Sequence, residues 1–416
     1  VPSIALSSSP AAVKAGPSTV SRLLLGVVHT QHSADAWNNA TAVRDACSVL
    51  RSTSTFQSVS IMGWGTENPE PSPGVYNWST LDDRIRLVTS TGGTPVIVLC
   101  GAPDWMKGGQ AGHTDWSQIE KAPLPSHYGD FAQLAVAVAK RYPFVHYFEV
   151  WNEFKGFWSD SRNRWNYEAY TQLYNTVADA LLAYNPALKI GGPYAPIDVW
   201  NDPNAGGHPS TIRGPWGTVD QRPLDAVVYW LAHAHHPSFL CVDGGLRTKE
   251  NRSQRNLLAA TGYYKAVTKW LRARTRLPIW WSEWYTNTAA VGPSTPRRWV
   301  ALSAASALQL SLGGASVATL WDPEQYPGSS TPGLWTCTAT PAGGQATGLA
   351  PLFQWMKTYC RPGTTVRQLG PAVGVIGMRT RTRYVAVNTT SGLKRVAVAR
   401  RTVILRPYAI VMGTVR

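Results

Sequence analysis

Between residues 22 and 359, eight short apolar or β-branched runs alternate with longer stretches of helical period, and past residue 364 the pattern shifts to closely spaced alternating runs. The chain has 416 residues, 44% of them hydrophobic, enough for one large core with a small appendage. Together these observations predict an α/β chain: a (β/α)8 (TIM) barrel followed by a small C-terminal antiparallel β-sandwich domain. The expected units are an N-terminal segment, 1–21, that adds a strand to the β-domain, then a barrel, 22–360, and the β-domain, 361–416.

The expected barrel strands, in order, are RLLLGVVH (22–29), FQSVSIM (56–62), TPVIVLCG (94–101), VHYFEVWN (145–152), LKIGGP (188–193), SFLCVDG (238–244), PIWWSEW (278–284) and ASVATLW (315–321). The intervening segments read as helices: LDDRIRLVTSTGG puts Leu81, Ile85 and Val88 on one face, and YGDFAQLAVAVAKRY does the same with Phe131, Leu134, Ala135 and Val138. Gly92-Gly93 gives a C-terminal stop, and Pro143 and Pro186 follow helix ends. An open doubly wound sheet is disfavoured, because GVVHTQHSADAW after the first strand has no Gly-rich phosphate fingerprint. The β-domain is read from VGVIGMRT, RYVAVNTT, KRVAVARR and VILRPYAIVMG, with SIALSSSPAAVKAG near the start supplying an edge strand.

Lys and Arg number 39 against 24 Asp and Glu, a formal +15 concentrated after residue 247. Such a field favours polyanions, acidic glycans among them, or simply aids solubility. The 19 Trp and 17 Tyr exceed the needs of a core, and several (Trp64, Trp105, Trp116, Trp158, Trp165, Trp284) stand beside polar residues, where flat amphipathic rings suit sugar faces. The five cysteines show no C-x-x-C spacing, which argues against a zinc or redox motif. Cys47, Cys100 and Cys241 read as buried thiols, whereas Cys337 and Cys360 flank a helix and are the two that can pair. No apolar stretch reaches the ~18 residues of a membrane span. Val1 followed by a Ser/Pro/Ala-rich stretch fits a mature, secreted chain or a trimmed piece.

In a barrel of this kind catalytic groups gather where strands end. The first strand ends at His29, the third runs into Trp105, the fourth ends at Asn152-Glu153, the seventh at Glu283 and the eighth at Trp321-Asp322. Period-two alternation puts Tyr147, Glu149, Trp151 and Glu153 on one side of the fourth strand, with Glu149 a pleat deeper as a structural carboxylate. Glu153 and Glu283, from strands lying across a barrel, are the minimum equipment for glycosidic hydrolysis: one protonates the leaving oxygen and the other attacks the anomeric carbon. Asn152 can donate to a sugar hydroxyl, and His29, Trp105, Trp321 and Asp322 are further candidates for sugar contact. His233, His235 and His236 at a helix end read as a solvated cluster, so no metal site is expected.

These residues resemble the clan A retaining glycoside hydrolases, and the phrases YFEVWNEF, KIGGPY and GTPVIVLCGAPDWM are most similar to family 39, which holds β-xylosidases, α-L-iduronidases and bacterial exopolysaccharide hydrolases. The likeness spans residues 22–359; Phe154 stands where many members have Pro, and the tyrosine that often contacts the nucleophile has no evident position. It implies Glu153 as acid/base, Glu283 as nucleophile, Asn152 orienting the 2-hydroxyl, a covalent glycosyl-enzyme, a carbohydrate substrate and no cofactor. Glu153 would be held protonated by apolar neighbours and by the charge of an ionised Glu283. The alternative is a carbohydrate- or cell-wall-binding protein without catalysis. Nucleic-acid binding rests on charge alone, since no recognised module accompanies it.

Overall fold

The computed structural model describes residues 17–250, 256–286, 296–327, 332–370 and 372–415. Eight parallel strands close into a barrel: β1 (Leu24–Val28), β2 (Phe56–Ser60), β3 (Thr94–Leu99), β4 (Tyr147–Val150), β5 (Lys189–Pro196), β6 (Phe239–Gly245), β7 (Ile279–Tyr285) and β8 (Val317–Trp321). Each falls within or overlaps one of the eight expected runs, and the predicted barrel is the fold observed.

Helices α1 (Ala40–Thr53), α2 (Ser79–Ser90), α3 (Tyr128–Arg141), α4 (Tyr167–Tyr184), α5 (Gln221–His233), α6 (Leu257–Arg272), α7 (Pro296–Gly313) and α8 (Ala350–Tyr359) follow the strands in turn. Their starts are written in the sequence: the side chains of Asn39, Asn166, Asp220 and Asn256 accept from the first free backbone N–H groups of α1, α4, α5 and α6. Gly92 ends α2 with φ +70, the left-handed turn glycine adopts most easily.

At the N-terminal end of the barrel an aromatic layer plugs the interior. Phe239 stacks on Trp280 at 3.9 Å between centroids, and Phe56 and Tyr147 complete the layer. The interior is thus filled at that end, as in a packed barrel core, and the catalytic groups of this fold belong where the strands finish. The long segment after β5 forms a small three-stranded sheet, Val199–Trp200, Pro209–Gly214 and Gly217–Asp220.

The β-domain is a five-stranded antiparallel sheet covered by a hairpin. Its sheet orders Ser18–Val20, β9 (Thr365–Gln368), β10 (Val375–Arg379), β11 (Arg383–Asn388) and β14 (Ile410–Thr414), while β12 (Lys394–Val398) and β13 (Arg401–Leu405) form the hairpin. VILRPYAIVMG, read as one run, is two strands. Pro407 cannot donate to a ladder and Tyr408 sits at φ +55, which turns the chain between them. Ser18–Val20 pairs antiparallel with β9, whereas residues 3–16, where the edge strand was expected, lie outside the described residues.

One face of the sheet packs Leu369, Val375 and Ala386 against Val396, Val398 and Leu405 of the hairpin. The other face, with Val366, Ile376, Met378, Val385 and Val387, belongs to the same continuous core as the barrel. All five cysteines are free thiols, so Cys337 and Cys360 do not pair. Among the described residues no helix is long and apolar enough to cross a membrane.

Candidate active site

β4 stops at Val150, and the backbone then leaves the extended region: Trp151, Glu153 and Phe154 all have positive φ, at 67°, 50° and 53°. Left-handed conformations at non-glycine residues are unfavourable and persist only where surroundings impose them. Here the Trp151 indole donates to Lys155 O at 2.7 Å, Glu153 N–H donates to Tyr194 O at 3.1 Å, and the Phe154 ring is packed by Trp165 and Tyr170. Period-two alternation therefore holds for Tyr147 and Glu149 and fails after them. Trp151 packs outward on Phe131 of α3 instead of sharing a face with Glu149 and Glu153.

The turn brings Glu153 to two other carboxylates. One oxygen each of Glu153, Asp243 and Glu283 lie within 4.8 Å of one another. Asp243, at 1% exposure, comes from the end of β6 and was not singled out in the sequence, where it stands within an otherwise apolar run. Against β6 each neighbouring strand carries one extra residue, Tyr194 in β5 between the partners of Cys241 and Val242 and Ser282 in β7 between those of Val242 and Asp243, and these bulges re-aim the side chains around them. One Asp243 oxygen has no hydrogen-bond partner in the protein. Tyr194 in β5 is the tyrosine whose hydroxyl reaches Glu283, at 3.4 Å, while also donating to Ser282 O at 3.3 Å.

Lys155 is the second residue the sequence reading missed. Its ammonium is ion-paired with Glu153 Oε2, donates to Asn152 Oδ1 at 2.9 Å, and lies 5.6 Å above the Trp64 ring. By taking Asn152 Oδ1 it fixes the amide so that Nδ2, the donor, is left for another acceptor.

These contacts reverse the expected protonation. Burial raises the Glu153 carboxyl, but Lys155 and a hydrogen bond from Asp243 outweigh it and hold Glu153 below its ordinary range. Burial and the Glu153 charge push Glu283 well above the ordinary range, with Lys155 and Tyr194 opposing. Asp243 is likewise held well up, by burial and then by Glu153. Burial is the largest single effect at Glu153, and only Lys155, Asp243 and Lys249 taken together outweigh it. Glu149, inside the barrel, meets the Ser282 hydroxyl at 2.5 Å and the Cys241 thiol at 3.5 Å, and burial lifts its pKa to about 7.

A cleft of about 330 Å³ opens beside Glu153 and Asp243, walled by Ile197, Asp198 and Val199 after β5, by Arg247 and Lys249 after β6, and by Tyr285. Of the expected site residues only Glu153 lines this cleft; Glu283 and Asn152 stand beside Glu153 without lining it, and His29, Trp105, Trp321 and Asp322 do not line it either. His29 is 1% exposed with both ring nitrogens engaged, by Ser33 at 2.7 Å and Gln57 at 2.9 Å, and burial lowers its pKa to about 4. That corrects the reading of His29 as a sugar contact: it is a buried structural histidine. The Trp105 indole donates to Glu70 O at 3.0 Å, and Asp322 accepts from Thr30 at 3.3 Å beside half-buried Trp321. Trp284, with Trp281, is fully buried core.

Three carboxylates this close are also a donor set a divalent cation accepts. Lys155 already pairs with one oxygen of Glu153. Of the histidine cluster, His235 faces Asp179 at 2.9 Å and His233 the Tyr229 carbonyl at 2.7 Å, both on the surface.

The model of "Glycosyl hydrolases family 39" matches residues 61–310. Among solved structures, the chain is similar to a family 39 glycoside hydrolase from Bacteroides cellulosilyticus WH2, with TM-score 0.62 and 15% identity, over 94% of this chain and 80% of that one. A monomeric β-xylosidase from Caulobacter crescentus CB15 gives 0.55 and 17%, over 90% and 75%. A family 39 enzyme from Xanthomonas axonopodis pv. citri gives 0.54 and 18%, over 90% and 73%. At these identities the likeness establishes the fold alone, and no protein of curated function matches the chain by sequence. The family model covers well over half of the chain, and its span contains Asn152, Glu153, Tyr194, Asp243 and Glu283. The chain belongs to glycosyl hydrolases family 39 and is a glycoside hydrolase.

Proposed function

We propose that the chain hydrolyses an oligo- or polysaccharide with retention of configuration, with Glu283 as nucleophile and Glu153 as acid/base. The observation that carries this is the separation of the carboxyl oxygens, at most 4.8 Å. It matches the ~5 Å of retaining enzymes and not the roughly 6.5–9.5 Å that leaves room for a water in inverting ones.

The two protons of the resting cluster sit on Asp243 and Glu283, with Glu153 ionised against Lys155. A sugar hydroxyl entering at Asn152 displaces Lys155, and the Glu283 proton passes to Glu153, which creates the acid and the nucleophile in one transfer. Glu153 then protonates the leaving oxygen as the glycosidic bond breaks, and Glu283 bonds to the anomeric carbon. Water attacks that carbon next, its proton returns to Glu153, and the Glu283–sugar bond breaks. Asp243 keeps its proton throughout and donates to Glu153.

Wild type and the variants Glu283→Gln and Glu153→Gln are compared on a panel of aryl glycosides and glycans. Glu283→Gln is expected to be inactive at unchanged fold, and Glu153→Gln to lose roughly 10²–10⁴-fold. Proton NMR of the first product should show the substrate's own anomer. The opposite anomer, or an active folded Glu283→Gln, overturns the assignment.

A further inference from the structure

Residues 361–416 contain eleven Arg and Lys and no Asp or Glu. The rest of the chain holds 28 cations (39 − 11) against 24 anions, so the β-domain supplies 11 of the net +15. With no acid of its own, the domain cannot neutralise this charge internally.

The charge has a focus. Thr365, Arg367, Arg379, Thr380 and Arg381 line a groove of about 420 Å³ at the joined ends of β9 and β10. Arg367 and Arg379 are direct partners in the antiparallel ladder. Like charges directly opposite one another destabilise a sheet, so this pairing works against the fold unless something anionic lies over it. Among the described residues none of the three guanidiniums has a hydrogen bond or ion pair with the protein. Arg383, one strand over, differs: it donates to Thr414 at 3.1 Å and lies 5.0 Å over the Tyr359 ring, as an arginine with a structural task does. Three forked cations without partners, in a groove with two hydroxyl-bearing residues, form a receptor for oxyanions.

We propose that this groove binds the carboxylate or sulfate groups of an acidic polysaccharide, at a site separate from the cleft beside Glu153. A glycan is favoured over nucleic acid for two reasons. The domain has only two aromatic residues, Tyr384 and Tyr408, and so lacks the ring platforms on which bases stack. It is also built into the core of a glycoside hydrolase, an enzyme that acts on carbohydrate; the choice of polymer rests on that activity, while the anion site rests on the arginines. Arg367 and Arg379 stand roughly 5 Å apart at Cα, as ladder partners do, a spacing comparable to one sugar along a chain.

Affinity electrophoresis of the full chain through polygalacturonate, dextran sulfate and neutral dextran, with a dT oligonucleotide as competitor, tests this. Wild type should be retarded by one or both acidic polymers and not by dextran, with retardation falling as salt rises. Arg367→Gln/Arg379→Gln/Arg381→Gln should weaken retardation at least tenfold with the thermal midpoint unchanged or raised. Arg395→Gln/Arg400→Gln/Arg401→Gln, which removes the same charge from the hairpin, should weaken it several-fold less. Arg381→Gln alone, at an exposed position outside the ladder, should give a partial loss even if the triple variant does not fold. Equal loss in the two triple variants, no retardation by either acidic polymer, or preferential binding of the oligonucleotide overturns the proposal. If Glu283→Gln proves active while the retardation pattern holds, the catalytic assignment fails and the arginine site stands.

Discussion

Lys155, two positions after Glu153, pairs with one carboxyl oxygen of this proposed acid/base and with the amide oxygen of the neighbouring Asn152. Replacing it with Met removes the charge that keeps Glu153 ionised, so the Glu153 pKa rises and the protonated acid persists to higher pH. The basic limb of kcat/KM against pH should move upward in Lys155→Met, and a limb that stays or moves down counts against Lys155 as the counter-ion. Glu149 gives a prediction of opposite kind. Its folded pKa of about 7 lies above the ordinary 4.5, so the folded state holds the proton more tightly, and its burial costs nothing below about pH 4.5 and most above pH 7. Glu149→Gln should therefore stabilise the protein at pH 8 by up to about 3 kcal/mol and have little effect at pH 4, as read by urea unfolding at the two values. Of the cluster, Glu153 and Glu283 were legible because each ends a run beside tryptophan. Asp243 was not, because nothing in SFLCVDG separates an inward acid from a loop cap. Lys155 was not, because only the left-handed turn folds it back onto Glu153.

Among the elements, the bulges at Tyr194 in β5 and Ser282 in β7 and the turn after β4 do the aiming, and all three depart from ideal strand geometry. Strand positions followed from hydrophobic runs, since one register of burial satisfies each run, but a one-residue slip leaves no mark on a run of apolar residues. β13 and β14 are a different case: Pro407 marks the break in the sequence itself, and the structure adds the left-handed Tyr408 that completes the turn. β10 offers an energetic test. Met378 is completely buried at the contact between the β-domain sheet and the barrel core. Met378→Ala should cost about 2–5 kcal/mol in urea unfolding, whereas a loss under 1 kcal/mol would mean that this face is loosely packed.

Across the whole molecule, the shared core decides how the parts hold together. Val366, Ile376, Met378, Val385 and Val387 bury against the barrel, so the sheet cannot separate without exposing them. Barrel and β-domain should unfold in one transition, with fluorescence and far-UV circular dichroism giving coincident curves; two resolved steps would show independent units. Fold class was legible at this scale from the order of runs alone. The contact between the two parts was not, because both faces of the β-domain strands are apolar and the sequence does not say which covers what.

Ser18–Val20 closes the edge of the C-terminal sheet, and Ser18 meets Arg367 across 349 positions (367 − 18). Gly363 N–H and Ser21 O, with Ser21 N–H and Thr364 O, lace the strand down at 2.9 and 2.8 Å. A contact this distant in sequence has a high entropic threshold and forms after the local βα pairings. On a growing chain, the first described strand must wait unpaired until the entire barrel has been synthesised, so this seam closes only after all eight βα units have left the ribosome.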